Sequence, residues 1–216
     1  MTEALLERAA ELFAERGFDQ TSLQDIASAM GLSRPALYHY IDSKDDLLKR
    51  LVADLTAAAV ADDEQLRART DLPPVEKLRE FVRVMALRVA QRPHRFRLLV
   101  IAEATLSPEV MQAHARLKRM KLSLAIELVR DVAATGVMRA LDPRIAALAI
   151  LGMTNWLAWW YSPDGELSSE TIADQFATML IEGLVANDGS ENGAGVAGAL
   201  QRLRRDVERL EHLIGS

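Results

Sequence analysis

The sequence predicts an all-α protein with an N-terminal three-helix unit followed by a larger helical body. Three observations predict this fold. Alanine, leucine, glutamate and arginine dominate, the alternation of β-branched residues typical of strands is scarce, and apolar residues recur at three and four positions. Hydrophobic residues make up 50% of the 216 positions, which is enough to build a sizeable core.

The first helix is predicted from an apolar stripe at helical spacing. Gly17 follows Arg16 and ends this helix, because glycine readily adopts the left-handed conformation that stops helices. The outer face is acidic and carries Glu3, Glu7, Glu11 and Glu15. The inward residues are Leu5, Leu6, Ala9, Leu12 and Phe13.

Two short helices come next. Thr21 or Ser22 caps the second helix, over residues 23–30, and Gly31 ends it. Ser33 caps the third helix, with Pro35 in the first turn, where its missing N–H is not needed. Two short helices joined by a glycine-containing turn, behind a longer first helix, are typical of a helix-turn-helix.

The body is predicted to hold six further helices. Asp42 or Ser43 opens the fourth, and Asp45 and Asp46 lie in its first turn, where the helix dipole favours acids. Proline starts several of the later helices, because the first turn accepts it. The predicted ranges are 74–91, 93–105, 108–136 and 143–161, and the ninth helix begins at Ser168 or Ser169.

The outer face of the third helix has the chemistry to read a DNA major groove. Arg34 can pair bidentately with guanine O6 and N7, Pro35 and Ala36 can contact a thymine methyl, and His39 can reach a base edge or a phosphate. The flanking residues suit phosphate contacts that set the register. The predicted DNA-binding residues are Thr21, Ser22, Gln24, Ser33, Arg34, Pro35, Ala36, Tyr38, His39, Tyr40 and Lys44.

Each of these residues also has an ordinary structural interpretation. Tyr38 can pack between the second and third helices, since aromatic rings bury area even when the hydroxyl is wet. Arg34 and Lys44, taken singly, are ordinary solvated surface charges. The DNA-binding prediction therefore depends on the whole set of residues.

The charge of the N-terminal unit limits how it binds DNA. Residues 1–50 hold six Lys or Arg and nine Asp or Glu, a net of −3, in a chain of formal net charge −5. A protein that coats nucleic acid indiscriminately is basic. The contact is therefore predicted to be local, with the glutamates of the first helix directed away from DNA and two copies binding together.

The stretch "TSLQDIASAMGLSRPALYHYIDSKDDLL" resembles the DNA-binding motif of the TetR family of bacterial transcriptional regulators. The whole resemblance extends over residues 5–51. The resemblance implies that residues 24–43 form the reading element and 34–40 the recognition helix, with Lys44 contacting a phosphate. Two positions depart from the family pattern. Ile41 stands where phenylalanine is frequent, and Asp42 where proline or lysine is frequent.

By the same resemblance the body is an effector-binding and dimerisation domain, whose eighth and ninth helices form a four-helix interface with a second subunit. The tryptophan-rich "GMTNWLAWW" suggests a pocket for an apolar effector, with packing of a dimer or domain core as the alternative. The tryptophan-rich helix, followed by "YSPDGELSSETIADQF", resembles TetR regulators of fatty-acid and acyl-coenzyme A catabolism. The candidate effector-binding residues are Met85, Arg88, Arg97, Ile101, Met120, Leu124, Met153, Trp156 and Trp160.

Four segments are predicted along the chain. Residues 1–48 form the DNA-binding domain and 49–186 the effector-binding and dimerisation domain. Residues 187–198 are glycine-rich and polar, as in a flexible linker. Residues 199–216 repeat leucine at helical spacing, which predicts a C-terminal amphipathic helix.

The favoured function is a sequence-specific transcriptional regulator, a homodimeric repressor that a small apolar or acyl-type effector releases from a palindromic DNA operator. The alternatives are a transcriptional activator and a DNA-independent helical adaptor, for which the C-terminal helix is the positive feature. An enzyme is not predicted, because no nucleophile and base form a recognisable set. The carboxylates of Asp62, Asp63 and Glu64 are consecutive and do not share one helix face, and no metal site or cofactor is predicted.

The composition also indicates a compartment. The chain has no cysteine, which fits a reducing cytoplasm. It has no uninterrupted apolar run of the ~18 residues expected of a membrane span. The sequence therefore predicts a cytoplasmic protein with no membrane role.

Overall fold

The computed structural model describes residues 2–101 and 107–186. Apart from one isolated β-bridge between Met138 and Val185, the regular secondary structure of these residues is helical, so the predicted all-α class is confirmed. The helices are α1 Thr2–Arg16, α2 Leu23–Ala29, α3 Arg34–Tyr38, α4 Lys44–Ala68, α5 Pro74–Gln91, α6 Pro93–Ile101, α7 Pro108–Ala134, α8 Pro143–Trp160 and α9 Ser169–Leu184.

Serine caps start the short helices of the N-terminal unit. The Ser22 hydroxyl accepts a hydrogen bond from the Asp25 N–H at 3.1 Å, and the Asp25 carboxylate accepts one from the Ser22 N–H at 2.8 Å. This capping box identifies Ser22, not Thr21, as the cap of α2. Ser33 caps α3, and Ser43, rather than Asp42, caps α4.

Two glycines end the first two helices as predicted. Gly17 has φ +89° and Gly31 has φ +67°, the left-handed conformation that glycine adopts without the penalty of a Cβ. The recognition helix is shorter than predicted, because α3 ends at Tyr38 and not at residue 40. The five residues between α3 and α4 therefore include Tyr40 and Ile41.

The N-terminal unit closes on its own core. The inward stripe predicted for α1 is fully or almost fully buried, and it packs on Ile26 and Ala27 of α2 and on Leu37 of α3. Ile41 is 1% exposed, so it fills the core position in which the family resemblance expects phenylalanine. Leu98 and Leu99 of α6 join the same cluster and connect this unit to the body.

The body packs α5 against α9 and α8, and α7 against α8 and α4. Its main core contains Phe81, Leu128, Ile150 and Ile181, all buried. None of the helices in residues 2–101 and 107–186 is long and apolar enough to span a membrane.

α4 belongs to both halves of the molecule. Leu47, Leu51 and Leu55 lie in the N-terminal core, while Leu66, three turns further on, lies in the body core. The helix is continuous through residue 48, so the domain boundary proposed there falls inside α4 and stays a prediction. The predicted linker at 187–198 and the C-terminal helix at 199–216 lie outside the described residues.

Candidate DNA-binding site and effector cavity

The outer face of α3 is exposed to solvent. Arg34, Pro35 and His39 are exposed, and Tyr38 is 43% exposed. The Arg34 guanidinium lies over the Tyr38 ring, 5.7 Å from its centroid, and donates a hydrogen bond to the Tyr38 hydroxyl at 3.3 Å. Tyr38 therefore does not have the buried packing role that was its alternative, and the two side chains form one polar surface.

Other predicted DNA-binding residues belong to α3, to α2 or to the positions that flank these helices. Ala36 is half-buried, and Tyr40 is half-buried against the N-terminal core. The Ser33 hydroxyl accepts a hydrogen bond from the Ala36 N–H at 3.3 Å. On α2, the exposed Gln24 amide donates to Ser28 at 3.2 Å, and Ser22 is also exposed.

Thr21 does not lie on this surface. Its side chain is 0% exposed, and its hydroxyl donates to the backbone carbonyls of Leu12 at 3.3 Å and Gly17 at 2.9 Å. A buried hydroxyl that already has acceptors inside the protein is not available to a phosphate. The predicted phosphate contact of Thr21 is therefore corrected to a structural role that ties α2 to the end of α1.

Lys44 has acceptors inside the protein as well. Its ammonium donates to the carbonyls of Phe18 at 2.7 Å and Thr21 at 2.9 Å, and lies 4.6 Å from the centre of the Phe18 ring. In this geometry Lys44 fastens the start of α4 to the loop between α1 and α2. The phosphate contact implied by the family resemblance stays a prediction.

A cavity of about 430 Å³ lies in the body, between α4, α5, α6, α7 and α8. This volume lies within the range of small-molecule sites, and the wall is mainly apolar. The lining residues are Leu55, Ala59, Met85, Arg88, Phe96, Leu99, His114, Leu117, Lys118, Lys121, Leu122, Leu148, Leu151, Gly152, Asn155, Trp156, Ala158 and Trp159.

Two cations of the wall are held by α4. Arg88 donates from Nε to the Asp62 carboxylate at 2.8 Å and from Nη2 to the Ala58 carbonyl at 2.8 Å. Lys121 is bonded to the Asp63 carboxylate and donates to the Ala59 carbonyl at 3.0 Å. Burial lowers the pKa of Lys121, because the ammonium loses hydration that the bond to Asp63 only partly replaces.

Of the nine candidate effector residues, Met85, Arg88 and Trp156 line the cavity. Leu124 is 1% exposed and packs in the body core, on the opposite side of α7 from solvent, and Met153 packs against the same core. Met120 is exposed and lines a separate cleft between α4 and α7. For these three residues the prediction of a cavity contact is wrong.

The other candidates differ in their contacts. The Trp160 ring stacks on Phe176 at 6.3 Å and does not line the cavity. Arg97 does not line the cavity but contacts two residues that do: it donates to the Ala158 carbonyl at 2.8 Å and lies 5.9 Å from the Trp159 ring centre. The side chain of Ile101 lies outside the described part of the structure.

Sequence reasoning missed most of the wall. Asn155 and Trp159 are not among the candidate residues, yet both line the cavity with Trp156. Lys121 is not among the candidates either, although it follows Leu117 by four positions and precedes Leu124 by three. A lysine on the apolar face of a long helix was the signal that marked this position.

A buried arginine connects the cavity region to the N-terminal unit. Arg95 of α6 is 1% exposed and donates to Glu7 at 2.7 Å and Glu3 at 2.8 Å on α1, and to Asp54 at 2.6 Å on α4. The next residue, Phe96, lines the cavity. Glu3 and Glu7, two of the four acids predicted to point away from DNA, are thus bonded to the body.

An exposed apolar patch lies on α8 and α9. Isolated apolar side chains are normal on a surface, whereas several large ones on two helices in contact indicate an interaction site. Its residues and their exposed fractions are Ile145 66%, Leu148 49%, Trp156 62%, Trp159 41%, Trp160 50% and Met179 51%.

Models of two protein families match the chain. Residues 5–51 match the bacterial regulatory proteins of the tetR family. Residues 71–184 match the tetracyclin repressor-like C-terminal domain. The first match covers the helix-turn-helix and the second covers α5 to α9.

Similar proteins include characterised regulators. The HTH-type transcriptional repressor KstR2 of Mycolicibacterium smegmatis is 25% identical over 194 residues, 88% of this chain and 93% of the relative. The KstR2 of Rhodococcus jostii is 29% identical over 190 residues, 84% of this chain and 90% of the relative.

Two solved structures have the same fold at higher identity. PfmR, a TetR family transcriptional regulator of Thermus thermophilus, is 32% identical with a TM-score of 0.72, covering 82% of this chain and 96% of its own. AibR in complex with isovaleryl coenzyme A and operator DNA is 32% identical with a TM-score of 0.66, covering 83% and 97%. Together with the exposed helix-turn-helix, these matches show that the chain belongs to the tetR family, whose members are DNA-binding transcriptional regulators rather than enzymes.

Proposed function

We propose that the protein is a homodimeric repressor that a small amphiphilic effector, bound in the cavity of the body, releases from a palindromic operator. One observation carries this proposal: a single helix, α4, begins next to the exposed face of α3, the recognition surface, and lines the effector cavity about three to four turns later, with Leu55 and Ala59. The recognition surface and the cavity therefore share a rigid element.

The relatives support repression and an acyl-type effector. The KstR2 proteins are named as transcriptional repressors, and AibR was solved with isovaleryl coenzyme A and operator DNA. The mainly apolar wall of the cavity suits an acyl chain, and its basic side chains suit an acid or a coenzyme A ester.

The apolar patch on α8 and α9 supports the homodimer. A second copy that covers Ile145, Trp160 and Met179 would remove a large apolar area from water, and such burial drives most protein association. Two recognition helices related by a twofold axis read half-sites about 34–36 Å apart. The inverted repeat of the operator would mirror this symmetry.

Release follows from a difference in affinity. An effector shifts the protein away from DNA only to the extent that it binds the DNA-incompatible conformation more tightly. A tilt of α4 would change the separation of the two recognition helices, because α4 begins where the reading element ends.

Selection of duplexes from a randomised pool tests the DNA-reading part. The native chain is incubated with the pool at near-physiological salt, and the bound duplexes are sequenced. We expect an inverted repeat to be enriched, and the double variant Arg34→Ala/His39→Ala to enrich none. A folded native chain that enriches no sequence would contradict the repressor and favour the adaptor.

Sedimentation tests the dimer separately. We expect Ile145→Lys to shift the chain towards monomer, because Ile145 is 66% exposed within the patch and does not line the cavity. Met111→Lys is the matched control, since Met111 is an exposed apolar residue of α7 outside the patch. Equal behaviour of the two variants would contradict dimerisation through α8 and α9.

A further inference from the structure

The wall of the cavity has one sign of charge. It contains the cations Arg88, Lys118 and Lys121, and no aspartate or glutamate is among the residues that line it. Charges act more strongly in such a place than in water, because the surrounding apolar side chains screen them poorly. An apolar ligand with a negative head group would therefore meet a complementary wall.

The acids that balance this wall belong to α4. Asp62 and Asp63 contact Arg88 and Lys121 without lining the cavity themselves. Both pairs are largely shielded from solvent: the side chains of Arg88 and Asp62 are 18% and 23% exposed, and those of Lys121 and Asp63 are 11% and 13% exposed. Each cation thus has the cavity in front of it and an α4 carboxylate at its side.

The two ion pairs also attach α4 to the body. Arg88 lies on α5 and Lys121 on α7, and each also donates to a backbone carbonyl of α4. A buried ion pair holds its helices together because separation would leave an uncompensated charge away from water. A replacement counter-ion removes that penalty for the cation, and the released carboxylate becomes free to reach water.

We propose that the effector has an anionic head group, a carboxylate or a phosphate, and that this head group replaces Asp62 and Asp63 as the counter-ion of Arg88 and Lys121, which detaches α4. This inference rests on the proposed function and adds the head-group chemistry and the contacts that the effector breaks. The α4 carboxylates and the ligand compete for the same two cations, so each weakens the binding of the other. Among the described residues no acceptor contacts Nη1 of Arg88, and this is the donor to which the proposal assigns the incoming anion.

Tryptophan fluorescence measures binding directly. All three tryptophans of the chain lie at 156, 159 and 160, and two of them line the cavity. The native protein is titrated with decanoate, decanoyl coenzyme A and decanol, each below its critical micelle concentration. We expect at least one anionic probe to bind about tenfold or more tightly than decanol. A preference for decanoate assigns the head group to a carboxylate, and a preference for decanoyl coenzyme A to a phosphate.

Two variants test the competition. Asp62→Asn and Asp63→Asn remove one competing carboxylate each, so we expect the preferred anionic probe to bind at least about fivefold more tightly to each variant and decanol to bind unchanged. Asp62→Asn is the milder change, because Asp62 is the more exposed of the two, and it gives a result even if Asp63→Asn fails to fold. Asp174→Asn is the matched control, since it breaks the Arg83–Asp174 pair on the outside of the body.

The outcomes separate this inference from the proposed function. Equal affinities for decanol and both anions would overturn the anionic head group and leave the effector cavity in place. Unchanged anion affinity in folded Asp62→Asn would overturn the exchange of counter-ions. Absence of binding by all three probes would overturn the effector cavity and this inference together.

Discussion

The polar side chains of the recognition surface bind partners close in sequence, whereas those of the cavity region bind partners far away in sequence. On the recognition surface the partners are three or four positions apart, as in Ser22 with Asp25 and Arg34 with Tyr38. Around the cavity the partners are far apart in sequence: Arg88 and Asp62 are separated by 26 positions, and Arg95 and Glu3 by 92.

This difference separates two roles for charge. The exposed residues of α3 are arranged by their own helix and make few tertiary contacts, so their substitution should change DNA recognition and leave the fold intact. The buried cations of α5, α6 and α7 join distant helices, so their substitution should change stability and the coupling between helices. The four predictions below test this separation, from the largest expected effect to the smallest.

Arg95→Met should cause the largest loss of stability. The substitution leaves Glu3, Glu7 and Asp54 without their shared cation, and breaking a buried pair costs about 3–5 kcal/mol. We expect a value near the lower end, about 3 kcal/mol, because these carboxylates retain some exposure to water. Urea unfolding measures it. Arg92→Met is the control, since Arg92 shares two of these partners but is 41% exposed, and it should cost less than about 1 kcal/mol. Similar losses of unfolding free energy in both variants would show that the burial of Arg95 does not determine how much its ion pairs stabilise the fold.

Arg34→Ala should change recognition and not stability. We expect a loss of roughly 1–3 kcal/mol in binding free energy, concentrated at one base pair, together with relaxed specificity there. The free energy of unfolding should change by less than about 0.5 kcal/mol, as for other surface positions. Binding to single-base variants of the selected operator measures the effect, with Arg8→Ala on α1 as the control. A loss of equal size on every sequence would contradict base reading by Arg34.

Lys44→Met should separate a structural lysine from a phosphate contact. We expect the free energy of unfolding to fall by about 1–2 kcal/mol, because the carbonyls of Phe18 and Thr21 lose a charged donor. The dependence of DNA affinity on salt should hardly change. Lys49→Met, on the same helix with an exposed ammonium, is the control for stability. A salt slope lowered by about one, with stability intact, would instead support the phosphate contact.

Lys121 should make a small, pH-dependent contribution to the free energy of unfolding. Its native pKa is lowered from 10.5 by burial, so in the window between that lowered pKa and 10.5 the unfolded chain binds the proton more tightly than the folded chain. The free energy of unfolding therefore rises with pH across this window, because the unfolded chain also loses the proton of Lys121 and folding no longer has to remove it. Urea unfolding of the native chain and of Lys121→Met at several alkaline pH values measures the difference. If the free energy of unfolding of the native chain, relative to that of Lys121→Met, stayed constant or fell as the pH rose, the predicted direction would be wrong.

Local signals made the N-terminal unit predictable. The caps at Ser33 and Ser43, the stops at Gly17 and Gly31, and the exposed face of α3 follow from contacts within one or two turns. Thr21 was misassigned because its two acceptors lie four and nine positions away, across a loop. Even here, prediction weakened as soon as the partner was no longer a near neighbour.

The cavity was less predictable because five helices build it. Periodicity identified α8 and its tryptophans, but it selected Trp156 and Trp160, whereas Trp156 and Trp159 line the cavity. The direction of each ring depends on the neighbouring helices, with Arg97 against Trp159 and Phe176 against Trp160. The same reason explains why Leu124 entered the core while Lys121, three positions earlier, reached the cavity.

The sequence by itself determined the helical class, the helix-turn-helix, the order of the helices and the residues that α3 exposes, because helical periodicity and capping are local properties of the chain. The tertiary structure alone decided that Asp62 and Asp63 neutralise the cations of the cavity and that Arg95 joins α6 to α1 and α4. Those contacts join residues 26 to 92 positions apart, and a charge in the sequence acquires its partner only when packing brings distant helices together.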